Sequence, residues 1–170
     1  MNFTIRKMTV DDISVVVDLD QKSFSLPWPE RSFRFELTDN PAARCWVAEL
    51  DGKVVAMIVV WLIVDEAHVA TLATHPEYRR QGIGRRLLAY ALSQMMQDGA
   101  RSSFLEVRAS NLPAQEMYRK FGYEATGRRR HYYRDNDEDA ILMNLSSLNT
   151  DRLRLDDAHS TLDKDTQNER

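Results

Sequence analysis

The stretch Arg79-Arg80-Gln81-Gly82-Ile83-Gly84-Arg85 combines glycine with arginine where an apolar strand pattern gives way to an amphipathic helix pattern. Without a Cβ, Gly82 and Gly84 let an anionic ligand come up against the backbone. The first amides of a following helix have no intrahelical acceptor, and they sit at the positive end of the helix dipole. Together these features make an anion site, most often one for phosphate. A P-loop would need Gly-Lys-Ser/Thr at the helix start, but Gly84 is followed by Arg85. A dinucleotide fingerprint would need a third glycine at 87, which is Leu87. On the residues alone, two readings stay open: a phosphate loop of another kind, or a plain strand-to-helix connection with solvated arginines.

Other chemistry-bearing side chains are sparse. Cys45 is the single cysteine, so it can form no intramolecular disulfide and offers no zinc spacing. It stands in an apolar strand pattern without a recognisable base and reads as structural rather than as a nucleophile. Glu106 shares a strand face with Phe104 and Arg108, where it is either a proton acceptor or a solvated carboxylate paired with Arg108. His68 and His131 read as local hydrogen-bonding residues, and no metal site is expected.

The elements that must position these groups follow from periodicity and punctuation. Phe3 to Arg6 alternates as a short strand. Thr9 and Asp12 form a capping box for a helix burying Ile13, Val16, Val17 and Leu19. Leu26-Pro27-Trp28-Pro29 ends it and starts a second helix carrying Phe33 and Leu37; this joint is either a packed corner or one wall of a substrate groove. Cys45 to Leu50 and Lys53 to Val64 pair through an Asp51-Gly52 hairpin, and Asp65-Glu66 turns the chain into a strand over Ala67 to Thr74. A helix over Gly82 to Gln97 closes at Gly99, followed by a strand over Ser103 to Arg108 and a helix from Asn111 to Phe121 stopped by Gly122. Strand, helix and strand in succession predict a parallel pair joined by a crossover. A final hairpin, Tyr123 to Tyr133 and Asp139 to Leu145, completes an α/β (α+β) fold with a mixed, mostly antiparallel sheet.

Residues 1–148 thus read as one domain, and 149–170 as a polar, flexible tail. A formal net charge of −3 gives no reason to expect nucleic-acid binding, although Arg128-Arg129-Arg130 is a local basic run. The longest apolar run, Val54 to Val64, is too short to span a bilayer, and the N-terminus has no signal-peptide pattern, so a cytoplasmic protein is expected.

Four further motifs join the glycine loop and the Pro27-Trp28 joint: Leu105-Glu106-Val107-Arg108-Ala109-Ser110-Asn111, Tyr118-Arg119-Lys120-Phe121-Gly122-Tyr123, Arg130-His131-Tyr132-Tyr133, and Glu138-Asp139-Ala140-Ile141-Leu142-Met143. Over residues 1–146 this set resembles the ribosomal-protein-alanine N-acetyltransferase (RimI-type) branch of the GNAT acyltransferases. The resemblance implies a GNAT fold with its parallel pair at the site of acetyl-coenzyme A. It implies acetyl transfer to a protein N-terminus, the alanine of a small-subunit ribosomal protein, by direct attack in a ternary complex. It also implies Glu106 as general base and Tyr118 as the acid for the departing thiolate. Cofactor contacts are implied at Leu72, Ala73, Thr74, Arg80, Gln81, Gly82, Ile83, Gly84, Arg85 and Asn111, and a grip on the substrate backbone at Tyr132 and Tyr133. On the residues alone, Tyr118 could equally be a packed helix tyrosine, and Tyr132 and Tyr133 a cross-strand pair. Rival readings are a GNAT enzyme acting on other N-termini or a small amine, and a non-catalytic acyl-coenzyme A sensor. Oligomeric state is not legible.

Overall fold

The computed structural model describes residues 2–149, 151 and 153. Along the chain come β1 (Thr4–Lys7), α1 (Ile13–Ser23), α2 (Glu30–Thr38), β2 (Ala43–Leu50), β3 (Lys53–Ile63), β4 (Glu66–Thr74), α3 (Ile83–Gln97), β5 (Ser102–Arg108), α4 (Leu112–Phe121), β6 (Glu124–Arg129) and β7 (Ala140–Leu145). The strands form one seven-stranded sheet in the order β1-β2-β3-β4-β5-β7-β6. Neighbours are antiparallel throughout except β4 and β5, which run parallel as the strand-helix-strand order predicts.

Each face of the sheet has its own core. On one, α3 buries Ile83, Leu87, Leu88, Leu92 and Met95 against Ile58, Val60, Ala67 and Val69, and α4 adds Tyr118 and Phe121. On the other, Ile13, Val16 and Leu19 of α1 and Phe33 of α2 cover Val47, Met57, Val59 and Ala73. Val17 is only half-buried. Helical spacing of apolar residues accounts for both, because each helix presents one stripe to a sheet whose central strands are apolar on both faces. Cys45 lies in the second core, where burial pushes its thiol up to about 12 and leaves it inert.

Turn chemistry differs from expectation in two places. Asp51 and Gly52 take φ of 49° and 78°, the paired left-handed geometry that suits their hairpin. The next turn falls on Val64-Asp65 instead of Asp65-Glu66, because Glu66 is drawn into the ladder opposite Ile63. Val64 is left at φ 58° and 93% exposed, an unfavourable position for a β-branched residue. In the last hairpin the first arm ends at Arg129, not Tyr133. His131 has φ 54° and its N–H donates to Asp139 Oδ1, while the N–H groups of Tyr132 and Tyr133 both donate to the Glu138 carbonyl. A compact loop therefore replaces the outer rungs of the ladder.

Past β7, Leu148 and Leu153 are buried in the α3-side core. The core thus reaches into the stretch expected to be a tail, the rest of which lies outside the described residues apart from Asn149 and Asp151. Among the described residues no helix is long and apolar enough to cross a membrane.

The entry to α1 is pinned electrostatically. The Thr9 N–H donates to Asp12 Oδ2 at 2.8 Å, and Arg6 reaches both Asp12 oxygens at 2.8 and 2.9 Å and Glu49 at 2.9 Å. The Arg6 hydrogen bonds hold the Asp12 carboxyl below its ordinary value of 3.8. A lowered folded-state pKa gives stability that is present above the unfolded value and lost as pH falls through the folded one. Arg6→Met is therefore expected to lower unfolding free energy in urea by on the order of 2 kcal/mol at pH 7, with the gap to wild type closing below about pH 4. A gap of the same size at about pH 3 would mean that Arg6 acts by packing alone.

Candidate active site

The parallel ladder between β4 and β5 runs from Glu66↔Ser102 to Val69↔Leu105 and stops there. On the other side of β4, the register with β3 passes from Val60↔Val69 to Val59↔Thr71, leaving Ala70 without a partner. This one-residue bulge switches the faces of β4: Ala67 and Val69 belong to the α3-side core, Ala73 to the α1-side core. Beyond it the strands part, and the β4 edge that faced β5 has no ladder partner. Into the gap opens a cavity of about 180 Å³, lined by Ala70, Thr71 and Leu72 of β4, Leu105 to Arg108 of β5, Asn111 at the N-cap of α4, Tyr118 within α4, and Trp28 of the α1–α2 joint.

Glu106 is the first carboxylate past the parting point. It is half-buried, and its cationic neighbour is Arg129 at 3.8 Å, not Arg108. The Tyr132 hydroxyl lies near Glu106, whose carboxylate raises the phenol's pKa. Tyr118 lines the same cavity, 7% exposed, with its ring edge-on to Tyr123 at 5.6 Å. Burial pushes its hydroxyl well above the ordinary phenol range, so the proton stays on the oxygen at neutral pH.

Arg108 is engaged elsewhere. Its guanidinium reaches Asp135 at 3.0 Å and Glu138 at 3.4 Å and lies 3.9 Å over the Tyr133 ring. Glu138 also accepts the Ser110 N–H at 2.6 Å, and its hydrogen bonds with Ser110 pull it down to about 2. Asp135 in turn accepts the Ser25 hydroxyl, tying the β6–β7 loop to the α1–α2 joint. The two hairpin tyrosines consequently differ: Tyr133 lines the cavity, while Tyr132 stays 43% exposed on the rim beside Glu106. The Pro27-Trp28 joint is a wall of the cavity and also a packed corner, with Trp28 against Phe33 and Trp61.

The glycine loop does not line this cavity; it lies at the far end of β4, with Thr74 as the link. A Cβ on Gly84 would sit 3.2 Å from Thr74 Oγ1 and 3.9 Å from Met117 Sδ, which places the start of α3 against α4 next to Tyr118. Gly82, at φ 79°, is the N-cap of α3, and Arg80 at φ 62° continues the left-handed path that exposes the loop backbone. Gln81 is exposed, Ile83 is buried beneath the loop, and Arg85 is half-buried. Arg79 is spent on Thr74 O at 3.1 Å and Ser23 Oγ at 3.3 Å, bracing the loop rather than facing a ligand. Asn111 caps α4 through the Ala114 N–H at 3.3 Å as expected. A free β4 edge, two glycines and an uncapped helix start make a continuous track suited to an elongated anionic ligand with a polar, amide-accepting end.

Two site residues escape a reading of the sequence. Gln115 is buried, and its Nε2 donates to the carbonyls of Arg108 and Ala109 at 2.9 Å each, fixing the end of β5 to α4. Asp20, in the last turns of α1, lines the cavity although its spacing marks it only as a helix residue.

The acetyltransferase (GNAT) family model matches residues 13–123. A Bacillus subtilis (strain 168) relative, provisionally named a ribosomal protein bS18-alanine N-acetyltransferase, is 41% identical over 139 residues, covering 82% of this chain and 92% of the relative. The Escherichia coli (strain K12) ribosomal protein bS18-alanine N-acetyltransferase is 33% identical over 153 residues, covering 84% of this chain and 96% of its own. The crystal structure of the Escherichia coli ribosomal-protein-S18-alanine N-acetyltransferase superposes with a TM-score of 0.78 at 31% identity, covering 86% and 96% of the two chains.

Gly84→Val would crowd the Thr74 side chain and reach Met117 at the margin of the α3-side core. It is expected to weaken coenzyme A binding by about tenfold or more in calorimetry while shifting Tm little. Unchanged affinity would reduce the loop to a connection.

Proposed function

Because the chain belongs to the GNAT acetyltransferase family, we propose that it moves an acetyl group from acetyl-coenzyme A to the α-amino group of a protein N-terminus, that of an alanine-initiated ribosomal protein in the cytoplasm. The observation that carries this reading is that Glu106 and Tyr118 line one cavity at the point where β4 and β5 part. The names and coverage of the relatives support the choice of acceptor. Acetyl-coenzyme A, when bound, supplies the thioester carbonyl that the amine attacks.

The free edge of β4 from Ala70 to Thr74 and the loop from Arg80 to Arg85 hold that molecule, with Asn111 beside it. Glu106 accepts the proton released by the amine, directly or through a water. Tyr132 and Arg129 orient its carboxylate, and the Arg108 clasp keeps a nearer cation away. A weak base is enough here: an α-amine has a reference pKa of ~8 against ~10.4 for lysine, so deprotonation at pH 7 costs about 1 kcal/mol instead of about 5. Tyr118 keeps its proton on Oη and offers it as a hydrogen bond to the departing sulfur. Tyr133 and the Pro27-Trp28 joint bound the opening through which an extended N-terminus enters.

Glu106→Gln preserves shape and removes the base. With an alanine-initiated peptide, turnover read by mass spectrometry is expected to fall by roughly 10²-fold or more, with acetyl-coenzyme A affinity retained. Tyr118→Phe should fall by a similar factor. Wild-type turnover in Glu106→Gln at pH 7 would take Glu106 out of the mechanism.

A further inference from the structure

Asp20 is 1% exposed. Its Oδ2 accepts the Trp28 N–H at 2.6 Å, closing the α1–α2 joint. Its Oδ1 is buried without a hydrogen-bond partner, in a residue that lines the same cavity as Glu106, Tyr118 and Tyr133. Phe24, Leu26, Trp28, Val69 and Ala70 line the same cavity, apolar surroundings that disfavour an unpaired anion. Burial raises the Asp20 carboxyl to about 6, which still leaves it ionised at pH 7 and above.

The charge is not needed for the joint. An asparagine oxygen would accept the Trp28 N–H equally well at no electrostatic cost, so an aspartate here carries an oxygen and a charge that the empty protein does not use. We propose that Asp20 is a substrate-binding residue whose Oδ1 accepts a hydrogen bond from the α-ammonium group of the incoming N-terminus, holding it between α1 and Glu106. The proposal rests on the N-terminal reading above. Near neutral pH most of an α-amine is protonated, so two carboxylates in one cavity select the form that is abundant. Acetylation removes that positive charge, and the neutral amide loses its attraction to Asp20. One residue thereby favours capture of the substrate and release of the product.

The test compares wild type with Asp20→Asn on three readouts. The first is steady-state kinetics with an alanine-initiated peptide: KM is expected to rise about tenfold or more while kcat changes by less than about threefold. The second is competition by the same peptide with its amino group replaced by hydrogen: wild type should bind the amine form about tenfold more tightly, and Asp20→Asn should lose most of that preference, keeping only what Glu106 supplies. The third is thermal unfolding at pH 8, where the variant should melt no lower than wild type, since an unpaired buried charge has been removed. Should Asp20→Asn fail to fold, Asp20→Ser is read by the same kinetic and competition measurements. An unchanged KM with discrimination intact overturns the proposal. So does a lowered Tm with kcat falling and KM unmoved, which would make Asp20 a clip for Trp28 only. Absence of acetyl transfer by the wild type to any free N-terminus would instead sink the N-terminal reading itself.

Discussion

The site depends on a ladder that stops. Parallel pairing between β4 and β5 ends at Val69↔Leu105, and the extra residue Ala70 keeps β4 from resuming it. Had the ladder run on to Thr74 and Arg108, the backbone of β4 would be satisfied and the space beside Glu106 closed. Backbone groups left without partners are costly when buried, so a fold keeps such an edge where a ligand can pair with it. The opening survives because each strand is held from its outer side: β4 by β3, and β5 by β7 through Arg108↔Ala140 and by Gln115 at its last carbonyls.

The second determinant is how the charges around the mouth are divided. Arg108 stands two residues from Glu106 on the same strand face, and an ion pair between them would hold the carboxylate away from an incoming amine. The acidic β6–β7 loop prevents this by engaging Arg108 through Asp135 and Glu138, with Tyr133 stacked beneath the guanidinium. Glu106 is left with the more distant Arg129 and the Tyr132 hydroxyl. The Ser25 to Asp135 bond gives the clasp a second duty, since it joins the hairpin to the α1–α2 joint.

Much of this was legible in the sequence, for physical reasons that differ by residue. Gly82 and Gly84 mark the loop because a missing Cβ favours φ 79° at one and eases the close approach to Thr74 at the other. Helical spacing named the buried stripe of α3, and Asn111 and Gly122 named the ends of α4. The bulge at Ala70 was not legible, since no glycine or proline signals it and only pairing with β3 creates it. The end of β6 was missed because Tyr132 and Tyr133 suit a strand; side-chain bonds from Asp139 and the Glu138 carbonyl override that preference. The partners of Arg108 and Asp20 depend on long-range contacts that local spacing does not encode. Leu153 was hidden in a polar stretch, where a single apolar residue carries no periodicity.

The most direct measurement is positional. Two peptides of equal length are offered with acetyl-coenzyme A, one with a free N-terminal alanine and no lysine, the other with a blocked N-terminus and an internal lysine, and fragment masses locate the acetyl group. A kcat/KM at least about 10²-fold higher for the free N-terminus is expected if an extended chain end must enter between Tyr133 and the Pro27-Trp28 joint to reach Glu106. Comparable kcat/KM for the two peptides, with acetyl on the lysine Nζ, would contradict it.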